Sequence, residues 1–389
     1  MIQRFSNRYS SRRYVAYMST YPPRECGIAT FTKDLVDSIN KVDGFKPLVI
    51  ALNEKNAIYD YDERVKWVIE RDSEEDYVQI AKRINSSNVE LVNLQHEFGL
   101  FGGDRGEFIK IFMENIEKPV VTTLHTVQPD FDPKAVDVLK CITQKSAATV
   151  VITHSAPKIL REQGILSKKY VVIPHGCPDI EFVETDEAKE SLGLKNRLVA
   201  STFGLISSGK GIEYAIRALP KIVRKEPNFL YLVIGQTHPE VRKHEGEKYR
   251  NRLLKLVSNL GLDPYVRFHN RYLSKRGLIK YLQATDIYLT PYVSPNQISS
   301  GTLTYAIGAG KAIVSTPYLH AQEALADGRG IFCKFRNSGS LAEGINELLD
   351  EKRRKDIQKR AYKYGRRFIW VNIAKKYVDL FHKIINNSS

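Results

Sequence analysis

Short runs rich in Val, Ile, Leu, Tyr and Thr alternate with stretches whose apolar residues recur at helical spacing. In the first half the strand-like runs are YVAYMST, PLVIAL, VKWVI, VELVNLQH, PVVTTLHT, ATVVITH and YVVIPHG. Helical patterns such as IATFTKDLVDSINKV and DYVQIAKRIN lie between most of them. In the second half RLVASTFG, FLYLVIG, VRFHN, DIYLTPY and AIVSTPY read as strands. GIEYAIRALPKIVRK, YRNRLLKLVSNLG, RGLIKYLQA and GTLTYAIGAG read as the helices between them. This alternation predicts an α/β protein with parallel sheets covered by helices on both faces. The period restarts after IPHGCPDIEFVETDEAKESLGLKN, a polar stretch without a strand, so a domain boundary is expected near residues 185–195. A chain of 389 residues is also too long for one ordinary core. The last segment, FIWVNIAKKYVDLFHKIINN, predicts an amphipathic helix.

Ligands of doubly wound sheets bind beyond the carboxyl ends of the strands, so residues just after strands carry the candidate chemistry. After the first strand, TYPPRECGIATF places Gly27 at a helix start, where backbone can approach a ligand and negative charge is favoured. His96 and Glu97 in LQHEFGLFGG, His125 in TTLHT, His154 in VITHS and His175 in VIPHG all fall at strand ends. Four of the chain's nine histidines thus line the ends of successive strands, which predicts a polar cleft face. In TFGLISSGKG a strand ends at Gly204, a loop carries Ser207 and Ser208, and Lys210 is expected to start a helix. A cation beside free N–H groups suits a phosphate. SPNQISSGTLTYAIGAG then repeats the strand, turn and helix start, with Ser299, Ser300, Gly301 and Thr302 offering backbone N–H groups and hydroxyls. The two loops together could grip a diphosphate.

The net charge of +15 changes the picture because it is uneven. Residues 1–200 carry 27 Lys/Arg against 29 Asp/Glu, and residues 201–389 carry 32 against 15. The positive field belongs to the second half and fits an anionic ligand or an anionic membrane surface. Nucleic acid is not expected: no zinc-finger or RNP-type motif is present, and aromatics do not interleave with the basic run EKRRKDIQKRAYKYGRRF. No apolar run reaches the ~18 residues that span a bilayer. The N-terminus MIQRFSNRYSSRRYVAYMST has no apolar stretch of signal-peptide length, so a cytoplasmic location is expected. Cys26, Cys141, Cys177 and Cys333 are far apart and form no C-x-x-C, so free thiols are expected. No histidine pair at helical ligand spacing and no carboxylate cluster indicates a metal.

The order of these motifs resembles a family 4 ("group 1") glycosyltransferase of GT-B fold over nearly the whole chain. The Gly27 loop, TLHT, VIPHG, GLISSGKG, DIYLTPY, a Gly/Ala-rich helix and a Trp-bearing last helix come in that family's order. The resemblance implies two Rossmann-like, doubly wound parallel-sheet domains facing across a cleft. They would span residues 1–190 on the acceptor side and 191–365 on the nucleotide-sugar side, with a helix at 366–389 crossing back. It implies retention of anomeric configuration, no metal, and no cofactor beyond the nucleotide-sugar donor. Gly27 matches the glycine that approaches the donor diphosphate, His125 the histidine near the donor sugar, and Lys210 the lysine that neutralises the leaving diphosphate. Two departures stand out. Leu205 occupies the place of an arginine that usually precedes that lysine, and Gln297 and Tyr305 stand where the family has two glutamates eight positions apart.

The expectation is therefore a retaining hexosyltransferase using a GDP- or UDP-hexose, with Lys210, His125 and Glu97 as catalytic residues. Gly27, Gly204, Ser207, Ser208, Gln297, Ser299, Ser300, Gly301, Thr302 and Tyr305 would line the donor site, and His96, His154 and His175 the acceptor side. Gln297 could bond sugar hydroxyls, and Tyr305 could reach a ribose or stack on a ring. A glycan or lipid-linked acceptor is expected, with the basic half suited to peripheral contact at the inner face of a membrane. Two rivals stand beside it: a glycan phosphorylase using inorganic phosphate, and a non-catalytic sugar- or nucleotide-binding subunit.

Overall fold

A computed structural model of the chain describes residues 13–42, 44–182 and 185–387. The first dozen residues of the stretch read for a secretion signal lie outside them.

Two parallel sheets organise the molecule. The first joins β1 (Arg13–Ser19), β2 (Phe45–Asn53), β3 (Val65–Glu70), β4 (Val89–His96), β5 (Val120–Leu124), β6 (Ala148–Val151) and β7 (Tyr170–Val172). Their spatial order is β3-β2-β1-β4-β5-β6-β7. The second joins β8 (Leu198–Phe203), β9 (Phe229–Ile234), β10 (Val266–His269), β11 (Ile287–Thr290), β12 (Ala312–Ser315) and β13 (Ile331–Phe332), in the order β10-β9-β8-β11-β12-β13. Strands such as VIALN and FLYLVI are apolar and buried along nearly their whole length because helices cover both faces. Every expected strand is present. β13 was not expected: two residues are too few to show a period.

In each sheet the chain winds outward, returns and resumes on the other side of its first strand. The return leaves a switch point between β1 and β4 in the first sheet and between β8 and β11 in the second. Crevices at switch points hold the ligands of such sheets. The residues that follow β1, β4, β8 and β11 are therefore the topologically selected ones, and they include Gly27, Glu97, Gly204, Lys210 and Ser300.

The final helix, Trp370–Asn387, packs on the first sheet rather than on the second. Its Tyr377 hydroxyl lies 3.0 Å from Thr123 Oγ1 on β5, and Phe381 meets Tyr17 and Phe45 edge-on. Phe31, on the helix Gly27–Ile39, stands edge-on to Trp370 at 5.1 Å.

The basic run EKRRKDIQKRAYKYGRRF lies mostly in a helix, Glu351–Gly365. That helix buries Ile357, Ala361 and Gly365 and projects its Lys and Arg outward. Gly365 lies so close to Gly308 that a Cβ added there would come within 2.8 Å of the Gly308 Cα.

The halves meet through specific polar contacts. Tyr305 donates to Asp34 at 2.7 Å, Lys275 pairs with the same carboxylate at 2.6 Å, and the Thr30 and Tyr272 hydroxyls lie 2.9 Å apart. On the other flank, the backbone N–H groups of His154 and Ser155 each donate to Glu323 at 2.9 Å. Ile298, from the second half, packs into the hydrophobic core of the first. The cleft is closed.

Candidate functional site

The second domain contributes a cluster of hydrogen-bond donors whose chemistry suits an anion. Gly204 ends β8 at φ +116°, a conformation open to glycine alone at little cost. A Cβ there would come within 3.2 Å of Thr302 Cγ2 and 3.3 Å of Lys210 Nζ, so these two side chains converge over the turn. Lys210 does not start a helix. It closes a short 3-10 turn, Ser208–Lys210, and Gly211 at φ +62° reverses the chain before the helix Ile212–Val223. The reversal is forced by packing, since a Cβ on Gly211 would come within 2.1 Å of the Pro291 carbonyl oxygen.

Lys210 Nζ donates to the Tyr292 hydroxyl at 3.1 Å, and that hydroxyl lies 3.0 Å from Thr302 Oγ1 and 3.4 Å from Ser300 Oγ. Burial pushes the Tyr292 phenol up, but Lys210 and the Ser300 and Thr302 hydroxyls outweigh it and hold the group below the usual phenol range. Beside this cluster begins the helix Gly301–Gly308, capped by Ser300 Oγ on the Leu303 N–H. The N–H groups of Gly301 and Thr302 have no carbonyl one turn behind them, so they suit an anion. Ser300 was expected to offer its own N–H. It does not, because that group donates to His320 Nδ1 at 2.9 Å. Ser207 and Ser208 sit on the exposed loop before Lys210, and Ser299 is half-buried.

Across the cleft, Gly27 is exposed, and a Cβ added there would meet nothing within 4 Å. No packing within the protein requires a glycine at this helix start, which leaves space for a ligand to approach backbone.

The histidines expected along the first sheet do lie at the ends of four adjacent strands, β4 to β7, but they differ in state. His125 Nε2 is 2.8 Å from Gln95 Oε1. Asn93 Nδ2 donates to the Val121 carbonyl and Asn93 Oδ1 accepts from Gln95 Nε2, which turns the Gln95 oxygen towards His125. His125 must then carry its proton on Nε2, leaving Nδ1 an acceptor. Burial, with His175 and His96 nearby, brings its pKa down to about 3, so the ring is neutral.

His175 donates from Nδ1 to the Gly176 carbonyl at 2.7 Å, and burial brings it down to about 4. Its Nε2 would lie 2.7 Å from a Cβ on Gly301, so Gly301 is what lets the second domain's helix reach the first domain. His96 is fully buried against Phe98 and Phe101, and neither ring nitrogen has a hydrogen-bond partner. It does not face an open cleft. His154 has an exposed ring and joins the domains through its backbone. Glu97 accepts from Thr126 Oγ1, and burial pushes its carboxyl up, a direction that suits proton exchange.

Gln297 and Tyr305, the two positions that the resemblance sets against glutamates, behave differently from each other. Gln297 is exposed and its amide folds back onto the Ser299 carbonyl. Tyr305 is not open to a ribose. Its phenol is buried on Asp34 and its ring lies 6.2 Å from that of His175. The reason is closure: Asp34 is 4% exposed and needs partners, and Tyr305 and Lys275 supply them from the second domain. Replacing Tyr305 by Phe is expected to remove about 1.5–3 kcal/mol from closure, the range for a hydrogen bond to a charged group. Small-angle scattering of the ligand-free variant should show a larger radius of gyration than the wild type; an unchanged radius would refute the assignment.

Tyr292, Gln95 and His320 are site residues that sequence reasoning missed. Tyr292 lies two residues beyond β11, and the strand-end rule used for the histidines points to it as well. Nothing local marks Gln95 or His320. Among the described residues no group of three His, Cys, Asp or Glu is placed to hold a metal, and no helix is long and apolar enough to cross a membrane.

Two Rossmann-like parallel-sheet domains that meet across a cleft form the GT-B architecture. Sucrose-phosphate synthase from Thermosynechococcus elongatus superposes on 97% of this chain and 100% of its own, with a TM-score of 0.80 at 16% identity. The Anabaena protein HepE in complex with UDP and glucose superposes on 96% of this chain and 100% of its own, with a TM-score of 0.76 at 15% identity. Residues 184–366 match the family model described as "Glycosyl transferases group 1", in the half that contains the Lys210 grip.

Curated relatives agree. An uncharacterized glycosyltransferase of Methanocaldococcus jannaschii is 27% identical over 255 residues, which are 64% of this chain and 61% of the relative. D-inositol 3-phosphate glycosyltransferase of Corynebacterium urealyticum is 25% identical over 203 residues, which are 51% of this chain and 46% of that protein. The matched segments thus span from about half to three-fifths of these relatives' lengths.

Proposed function

We propose that this protein is a retaining glycosyltransferase that moves a hexose from a nucleoside diphosphate sugar to a hydroxyl of a glycan or lipid-linked acceptor. The observation that carries the reading is the convergence of Lys210, the Tyr292 and Thr302 hydroxyls and the first N–H groups of the helix Gly301–Gly308 over the Gly204 turn, with Gly27 at its own helix start unencumbered by packing. These donors are fixed before a ligand arrives, so they can stabilise charge where it grows without reorganising. As the bond from the sugar's anomeric carbon to the β-phosphate oxygen breaks, negative charge accumulates on that phosphate. The acceptor oxygen bonds the anomeric carbon from the same face and passes its proton to the departing phosphate oxygen. No protein nucleophile and no metal take part. His125 presents an acceptor Nδ1 to sugar hydroxyls, and Glu97 orients the acceptor. GDP-mannose and UDP-glucose are the proposed donors.

A thermal-shift panel of UDP, GDP, ADP, their hexose conjugates and inorganic phosphate tests the donor class. Stabilisation by one nucleoside diphosphate is the expected result, and a response to inorganic phosphate alone would sink it. The phosphorylase reading keeps its place because Tyr305, closed on Asp34, offers no ribose contact. The outward Lys and Arg of the helix Glu351–Gly365 favour peripheral contact with an anionic bilayer. Co-flotation with anionic but not neutral vesicles is the expected readout, and equal recovery with both would remove that part.

A further inference from the structure

A cavity of about 220 Å³ lies between the two halves; its lining includes none of Gly204, Lys210, Tyr292 and Thr302, and it abuts that cluster through His175 and His320. Thr304 and Ile307 line it, whereas Thr302 of the same helix faces Gly204 and Lys210. Residues 302 and 304 are about 200° apart around a helix, so Thr304 and Thr302 point to opposite sides of it.

Its lining holds two neutral histidines with opposite polarity, His320 buried and His175 half-buried. His320 accepts the Ser300 N–H on Nδ1, so its proton is on Nε2, which has no acceptor among the described residues. His175 has its proton on Nδ1, bonded to the Gly176 carbonyl, and its Nε2 is an acceptor. Arg367 and Lys376 stand on the lining as exposed cations, and neither has a carboxylate partner among the described residues. The one acid of the lining, Glu323, has both oxygens engaged by the His154 and Ser155 N–H groups. Two cations therefore face one committed carboxylate, above one hydrogen-bond donor and one acceptor.

We infer that this cavity is a binding site for a small anionic sugar, a phosphorylated or carboxylated monosaccharide, with its anion on Arg367 and Lys376 and its hydroxyls on His320 Nε2 and His175 Nε2. Hydroxyls serve as donor and acceptor at once, and so match a floor that offers one of each. At about 30 Å³ per water the cavity holds on the order of seven waters, a space on the scale of a monosaccharide. A molecule bound here touches both domains and so favours the closed arrangement, which couples it to whatever binds in the main cleft.

The site is tested by calorimetric binding to the full chain without nucleotide, which does not depend on the proposed transfer reaction. The probes are glucose 6-phosphate, mannose 6-phosphate, glucuronate, inorganic phosphate and glucose. One sugar anion should bind one to one, with glucose at least tenfold weaker. The Arg367→Ala/Lys376→Ala double variant should lose at least tenfold in affinity with an unchanged melting temperature, because both side chains are exposed. Lys210→Ala should bind as the wild type does. The inference is overturned if no probe binds, if binding survives the double variant, or if it is lost in Lys210→Ala. Inorganic phosphate binding as tightly as the sugar phosphates would overturn the sugar assignment.

Discussion

Replacing Lys210 by Ala is expected to lower kcat/KM for the nucleotide sugar by about 10²–10³-fold, or about 2.7–4 kcal/mol, the range for removing one preorganised donor from a developing oxyanion. The fold should survive, since Lys210 is only half-buried on an exposed turn whose path is set by Gly211 and the Pro291 carbonyl. The loss should fall on kcat more than on KM, because in the proposed transfer the charge that Lys210 meets grows as the bond breaks. Tyr292→Phe provides the internal control. It removes the hydroxyl that holds Lys210 Nζ at 3.1 Å but leaves the cation in place, so a smaller loss of about tenfold is expected. Steady-state kinetics on the two variants decides the matter. Activity of Lys210→Ala within threefold of the wild type would remove the lysine from the mechanism.

The second large effect is on stability at mildly acidic pH. His96, His125 and His320 are each brought down to about 3, and His175 to about 4, in every case chiefly by burial. An unfolded chain protonates these rings near pH 6.5. The folded pKa values are depressed, so the stability is fully present above pH 6.5 and is lost as pH falls from there towards 3–4. Each ring contributes a slope of about 1.4 kcal/mol per pH unit inside that window. Four rings together approach about 5 kcal/mol between pH 7.5 and 5.5, comparable with the whole stability of many domains. Glu97 offsets part of this, because its raised carboxyl takes up a proton earlier when folded. Urea denaturation at pH 7.5 and 5.5 should show a large fall in midpoint. His96→Phe should reduce that fall by about a quarter and raise stability at pH 7.5, because the ring between Phe98 and Phe101 buries two unpartnered nitrogens. Equal midpoints at the two pH values would contradict the burial of these rings.

How much of this was legible in the sequence depends on distance along the chain. The strand–helix alternation carries the two sheets, and the strand-end rule leads to Gly27, Gly204, Lys210 and His125, because switch-point topology places such residues at the crevice. The family resemblance sets Gln297 and Tyr305 against two glutamates, but says nothing of what they do instead. Tyr305 meets Asp34 across 271 positions and Glu323 meets His154 across 169, and no local pattern encodes either pair. The Ser300 N–H, read as a free donor, is taken by a histidine 20 residues on. His96 looked like a cleft residue because it ends a strand, yet the phenylalanines that follow it fold back and bury it. In each case the first-order position was readable and the partner was not.

The central claim is that the anion grip around Lys210 serves a nucleoside diphosphate leaving group. Phosphorus NMR tests it on the intact protein, incubated with UDP-glucose or GDP-mannose and a panel of sugar acceptors. The predicted result is loss of the nucleotide-sugar signals, appearance of free UDP or GDP, and suppression of both in Lys210→Ala. Nucleotide sugars that stay intact with every acceptor, while inorganic phosphate is consumed into hexose 1-phosphate from a glycan, would contradict it.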